Sequence, residues 1–109
     1  MTTITITKDA DGVYRGFECN GHAGFADSGK DIVCAAVSVL TINTINSIEK
    51  FTDDQIDTFQ DQEEGILGAN FRNRPSDKAD LLMKSFELGV TGIFEQYGKK
   101  FLNIKFRRE

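Results

Sequence analysis

The chain has a single histidine and two cysteines, and all three fall between Cys19 and Cys34. Among them lies Gly24-Phe25-Ala26-Asp27-Ser28-Gly29-Lys30, which matches the G-x-x-x-x-G-K of a phosphate-binding loop. The match fails at the next position, where Asp31 replaces the hydroxyl residue that would hold magnesium. Asp27 adds a second carboxylate that repels phosphate, and no parallel βαβ frame precedes the loop. A second chemistry is zinc binding by Cys19, His22 and Cys34, which together offer one nitrogen and two sulfurs. It lacks a fourth ligand and a second close ligand pair, and Cys19 reads more simply as a small buried hydrophobe in a strand. No metal and no cofactor is therefore expected.

The third chemistry is nucleophilic catalysis, with Cys34 as nucleophile and His22 as base. A thiolate is the reactive form of cysteine, and the free amides of a helix start stabilise its negative charge. A helix starting after Asp31 puts Cys34 near its third position, with the Asp31 carboxylate as N-cap. The glycine-rich loop is then a hinge that brings His22 onto the thiol. Asp31 also has the chemistry to orient the imidazole, and Ser38, one turn beyond Cys34, offers a hydroxyl to the same site. Against this stands the plainer reading of an inert core cysteine and a solvated histidine.

The elements that must position these groups follow from periodicity. Alternation over 2–8 sets Ile4 and Ile6 on one face of a strand and threonines on the other. The turn Asp9-Ala10-Asp11-Gly12 leads to a returning strand over 13–19. Residues 21–29, rich in glycine and alanine, form a loop. From Ile32, apolar residues at steps of three and four (Val33, Ala36, Val37, Leu40) predict a helix buried on most sides. Strands follow over 55–61 and 66–71, joined by the turn Gln62-Glu63-Glu64-Gly65. Ser76 caps a second helix whose apolar face includes Leu81, Leu82, Phe86, Val90, Ile93, Phe94 and Tyr97, with Gly89 and Gly92 for close packing and Gly98 at its end. A last strand spans 101–106, and Arg107-Arg108-Glu109 is a solvated tail. The expected fold is one α+β domain over 1–109, a two-layer sandwich of order ββαββαβ with both helices on one face of a mostly antiparallel sheet.

Composition narrows the partners. Thirteen basic and seventeen acidic residues give a net charge of -4, which argues against direct nucleic-acid binding and favours a basic protein or peptide partner. The amino-terminal residues have no signal-peptide pattern, and no run of about 18 apolar residues occurs, so the expected location is cytoplasmic, away from membranes.

Gly21-His22-Ala23-Gly24-Phe25-Ala26, followed by Gly29-Lys30-Asp31-Ile32-Val33-Cys34-Ala35-Ala36-Val37-Ser38, closely resembles the signature of the ribosomal-processing cysteine protease family, Prp. The resemblance spans the chain in length and element order and is looser in the later half. It implies a cysteine endopeptidase that removes the amino-terminal extension of ribosomal protein L27 during ribosome maturation. It also implies His22 and Cys34 as the catalytic pair, Asp31 and Ser38 as supporting polar positions, and a mobile substrate-admitting segment at Gly21, Ala23, Gly24, Phe25 and Gly29. Family members are typically homodimers. The competing expectation is a non-catalytic ribosome-assembly or peptide-binding protein. Phe17, Phe25, Phe51, Phe59 and Phe71 are candidates for an apolar substrate groove, with the core as the alternative for most of them.

Overall fold

A computed structural model describes residues 1–21, 28–98 and 100–109, with 28–31 and 98 described by their backbone alone. The elements run β1 (Thr2–Lys8), β2 (Tyr14–Asn20), α1 (Ser28–Phe51), β3 (Ile56–Asp61), β4 (Ile66–Phe71), α2 (Asp77–Ile93) and β5 (Leu102–Arg108), with a π-helical turn, Phe94–Gly98, after α2. The five strands form one sheet in the order β3-β4-β2-β1-β5. All neighbours are antiparallel except β1 and β5. Parallel pairing needs a long crossover, which α2 contributes to. The α+β sandwich of order ββαββαβ is the one the sequence predicts.

Register explains the core. Ile4 opposes Cys19 and Ile6 opposes Phe17 across β1 and β2, while Phe17 and Cys19 oppose Ala69 and Leu67 on β4. These side chains share one face, where Phe17 meets Phe86 of α2 with ring centroids 5.0 Å apart. Both helices lie on that face. They approach closely where a Cβ on Gly89 would stand 3.0 Å from a Leu40 methyl. Gly92 has open space beside it and plays no such part.

Several element boundaries differ from expectation. Helix α1 begins at Ser28, so Ser28 and Gly29 are helical rather than loop, and Asp31 is inside the helix rather than its cap. Strand β5 continues through Arg107 and Arg108, which pair with Thr7 and Lys8, because a neighbouring strand satisfies backbone groups that a tail would leave to water. The second helix leaves α geometry at Phe94 and turns through a π segment to Gly98. Strands β2 and β3 each start one residue later than predicted.

The burial of α1 also departs from the prediction. Val33, Val37, Ile45 and Ile48 enter the core, but Ile32, Val39 and Ile42 are exposed. Helix α1 therefore carries a second apolar face that nothing in this chain covers among the described residues. Over Ile32–Phe51 it is also long and apolar enough to cross a membrane by length and composition, which the lack of an uninterrupted apolar run does not predict. Its Thr41 and Thr44 hydroxyls donate to the Val37 and Leu40 carbonyls, so polar residues are accommodated on the packed side. In α2, Phe86 and Val90 are buried as expected, whereas Leu81 faces outward.

Candidate active site

The site is assembled where the end of β2 meets the start of α1. Cys34 is 5% exposed, and its Sγ donates to the Gly21 carbonyl at 3.4 Å. A thiol is a weak donor, so this contact orients the sulfur more than it binds it. Gly21 itself is fixed from several sides. Its N–H donates to the Gly65 carbonyl at 2.8 Å, and its own carbonyl also accepts from Thr2 Oγ1 at 3.5 Å. Its φ of +100° is left-handed, and a Cβ there would come within 3.0 Å of the Met1 carbonyl oxygen. Glycine is the residue that meets both demands at low cost. Resemblance puts Gly21 in a mobile segment; the geometry shows Gly21 itself anchored.

Cys34 is the seventh residue of α1 rather than the third. The free amides are those of the first turn, and the N–H of Cys34, the seventh residue, lies beyond them inside the regular ladder. The helix terminus therefore acts on the sulfur from more than a turn away, where its field is weaker. The cause is that Ser28-Gly29-Lys30 continues the helix, which the run of small residues concealed.

Cys19 is completely buried below this point and has the part of a core hydrophobe that its strand position predicts. Burial pushes its thiol up to about 11, against an opposing pull from the Ser38 and Thr41 hydroxyls; the neighbouring Cys34 adds a smaller upward push. A thiol so held stays protonated and unreactive at neutral pH. Ser38 lies close enough to influence Cys19, yet its buried Oγ completes no hydrogen bond of ordinary geometry. Buried hydroxyls are usually paired, so a Ser38 hydroxyl with no hydrogen bond beyond this weak approach to Cys19 stands out among the described residues.

His22, Ala23, Gly24 and Phe25 lie outside the described residues, as do the side chains of Gly29 and Asp31. The zinc reading, which needs His22, falls outside them too. Among the described residues no three His, Cys, Asp or Glu side chains gather as metal ligands. Of the phenylalanines named as groove candidates, Phe17 and Phe71 are core, Phe51 is exposed at the end of α1, and Phe59 lies over Gly68, where any Cβ would strike its ring, and does line a groove.

That groove, of about 370 Å³, lies between α1 and the edge strand β3, with Ile42, Ile45, Glu49, Phe59, Gln60 and Leu67 among its walls; of these residues the sequence points only to Phe59 as a groove candidate. Helical spacing marks Ile42 and Ile45 as one face, but only the register of β3 on β4 brings Gln60 and Leu67 opposite them.

Known proteins resemble this chain over its whole length. The family model "Cysteine protease Prp" matches residues 1–102. The ribosomal processing cysteine protease Prp of Staphylococcus aureus is 28% identical over 106 residues, covering 96% of this chain and all of that protein. Two crystal structures of the essential ribosomal processing protease Prp from S. aureus are also similar across the whole of both chains. The complex with a substrate peptide has a TM-score of 0.87 at 26% identity, and the complex with a covalently linked product peptide has 0.81 at 27%.

Proposed function

The chain belongs to the cysteine protease Prp family, and from that premise we propose that Cys34 is its nucleophile, His22 its base, and the amino-terminal extension of ribosomal protein L27 its substrate. The observation that carries the reading is the Cys34 thiol against the Gly21 carbonyl. One peptide bond separates that carbonyl from His22 in the chain, so base and nucleophile share an anchor. The other cysteine, Cys19, is fully buried with a raised pKa and is a poor candidate.

A thiolate and a carbonyl oxygen repel each other, so ionising Cys34 breaks its contact with Gly21. His22 takes the thiol proton, and the sulfur attacks the scissile carbonyl carbon to give a tetrahedral oxyanion. Collapse breaks the C–N bond as His22 returns the proton to the leaving amine. Water, deprotonated by His22, then releases the acyl group from sulfur. The covalently linked product peptide of the S. aureus protein supports a covalent route of this kind. Ser38, whose hydroxyl one turn from Cys34 completes no hydrogen bond among the described residues, and Asp31 are the supporting groups. The segment from Gly21 through Ala23, Gly24 and Phe25 to Gly29 admits the peptide.

The proposal includes a cytoplasmic homodimer. Ile32, Ala35 and Val39 stand exposed in one line on α1, the spacing at which two helices pack. Sedimentation of Val39→Glu, expected to run as a monomer, tests that part. The catalytic part is tested with a peptide spanning the L27 junction, followed by mass spectrometry. Cleavage at one bond by the parent, abolished in Cys34→Ala and in His22→Ala, is expected. Cleavage by Cys34→Ala overturns the nucleophile assignment. Tight binding without cleavage by the parent favours a peptide-binding protein instead.

A further inference from the structure

The face of α1 that carries Cys34 continues past it. Cys34, Ser38, Ile42, Ile45 and Glu49 fall within an arc of about 80° at 100° per residue. The last three line the groove of about 370 Å³ against β3 and β4. On the sheet side the same continuity holds: Leu67 pairs with Cys19, two residues from the Gly21 that holds the thiol, and with Gln60 on β3. The groove is thus the direct extension of the site along the helix.

Its chemistry changes along its length. Ile42, Ile45 and Leu67 make the middle apolar, while Glu49 closes the far end. Glu49 makes no ion pair among the described residues, and Asp53 and Asp54 share the next depression with it. The nearby Arg72 is already engaged by Asp57 at 2.8 Å. Strand β3 is the sheet edge, so its outer N–H and C=O groups have no strand partner. An extended peptide added there would hydrogen-bond to β3 and direct every second side chain into the groove.

Length converts this into positions on a substrate. Ile42 lies eight residues beyond Cys34, about 12 Å along the helix, and Glu49 fifteen residues beyond, about 22 Å. At about 3.3 Å per residue, an extended peptide covers these distances in about four and about seven residues. We infer that the α1–β3 groove binds the substrate segment remote from the scissile bond, taking an apolar side chain about four residues away over Ile42, Ile45 and Leu67 and a lysine or arginine about seven residues away at Glu49. The charge fits: ribosomal proteins bind RNA and are rich in basic residues. The inference rests on the reading of Cys34 as nucleophile.

The test uses fluorogenic peptides across the L27 junction: a long one, and versions trimmed to three residues on one side or the other. With the parent protein, trimming the side that occupies the groove lowers kcat/KM about tenfold, mainly through KM. Glu49→Lys and Leu67→Ala each lower the preference for the long peptide over that trimmed one. Replacing the distal basic residue with glutamate restores cleavage of the long peptide by Glu49→Lys, which a merely structural effect would not do. Should both variants lower long and trimmed peptides by the same factor, or the charge exchange fail to rescue, the inference is overturned. A change in sedimentation of Glu49→Lys with no change in peptide preference also overturns it, in favour of a second copy of the chain as occupant. Failure of the underlying reading looks different: Cys34→Ala still cleaves. In that case anisotropy of the labelled long peptide, weakened by Glu49→Lys or not, still decides the groove.

Discussion

The two ends of the β1–β2 ladder treat their polar groups in opposite ways. At the Lys8 end, Tyr14 donates to Glu87 at 2.8 Å, Lys8 reaches the same carboxylate at 3.3 Å, and the Lys8 ammonium stands 4.7 Å from the centre of the Tyr14 ring. Burial, then the Glu87 hydrogen bond, raise the Tyr14 pKa well above its usual range, so the phenol remains a donor at any physiological pH. At the Thr2 end, the Cys34 thiol has a weak contact with a backbone carbonyl and the Ser38 hydroxyl completes none. The saturated end fastens α2 to the sheet. Among the described residues the other end leaves its polar side chains less fully bonded, the contrast expected between a structural cluster and the reactive one proposed for Cys34.

That contrast can be broken experimentally. The largest effect is expected from Gly21→Ala, which imposes a left-handed φ on a residue with a Cβ and crowds the Met1 carbonyl. Stability should fall by about 1–3 kcal/mol in a denaturant titration. Because the shifted carbonyl misplaces the thiol, kcat/KM should also fall on the order of 100-fold. A loss confined to stability would show that Gly21 does not orient Cys34.

Tyr14→Phe tests the other end. It leaves Glu87 without its phenol donor and should cost about 1–1.5 kcal/mol of unfolding free energy, with kcat/KM for the junction peptide unaltered. A comparable fall in activity would mean that the two ends are coupled.

Ser38→Ala should reverse that pattern. Removing a hydroxyl that completes no hydrogen bond among the described residues should change stability by less than about 0.5 kcal/mol, while loss of a donor to bound substrate lowers kcat about fivefold. If stability falls by more than this with kcat intact, Ser38 is a core residue and nothing else.

The smallest effect concerns the cap of α2. Burial acts to raise the Asp54 pKa, but hydrogen bonds from the Ser76 hydroxyl and N–H outweigh it and hold the carboxyl below its ordinary value of 3.8. A depressed carboxyl contributes stability above its unfolded pKa, and that contribution is lost as pH falls through the folded one. Asp54 is largely solvated, so the contribution is roughly a few tenths of a kcal/mol. Acid titration of the parent against Asp54→Asn should show it as a slightly shallower loss of stability below pH 3.8 in the variant.

Much of this architecture is legible from local pattern. Alternation in β1, the strand over 66–71, the Asp9–Gly12 turn and the Ser76 cap depend on neighbours along the chain, and each appears where the residues predict it. The start of α1 was misjudged because glycine and serine weigh against a helix locally, although the observed helix includes Ser28 and Gly29. The extension of β5 was missed for a related reason: Arg107 and Arg108 look like tail residues until β1 is beside them.

The sequence by itself determined the chemical inventory: one histidine, two cysteines, a glycine-rich segment between them, and enough apolar periodicity to specify two helices over a sheet. Local pattern already separates a strand cysteine from a helix cysteine; only the tertiary structure decided what the Cys34 thiol meets. Both are small thiols in apolar surroundings, but Cys19 faces the middle of the sandwich while Cys34 meets the carbonyl of a left-handed glycine. The groove beyond Cys34 was decided in the same way, by pairing β3 with β4 at the sheet edge. Pairings between distant segments are fixed by the burial of the whole core, so no short stretch of sequence contains them.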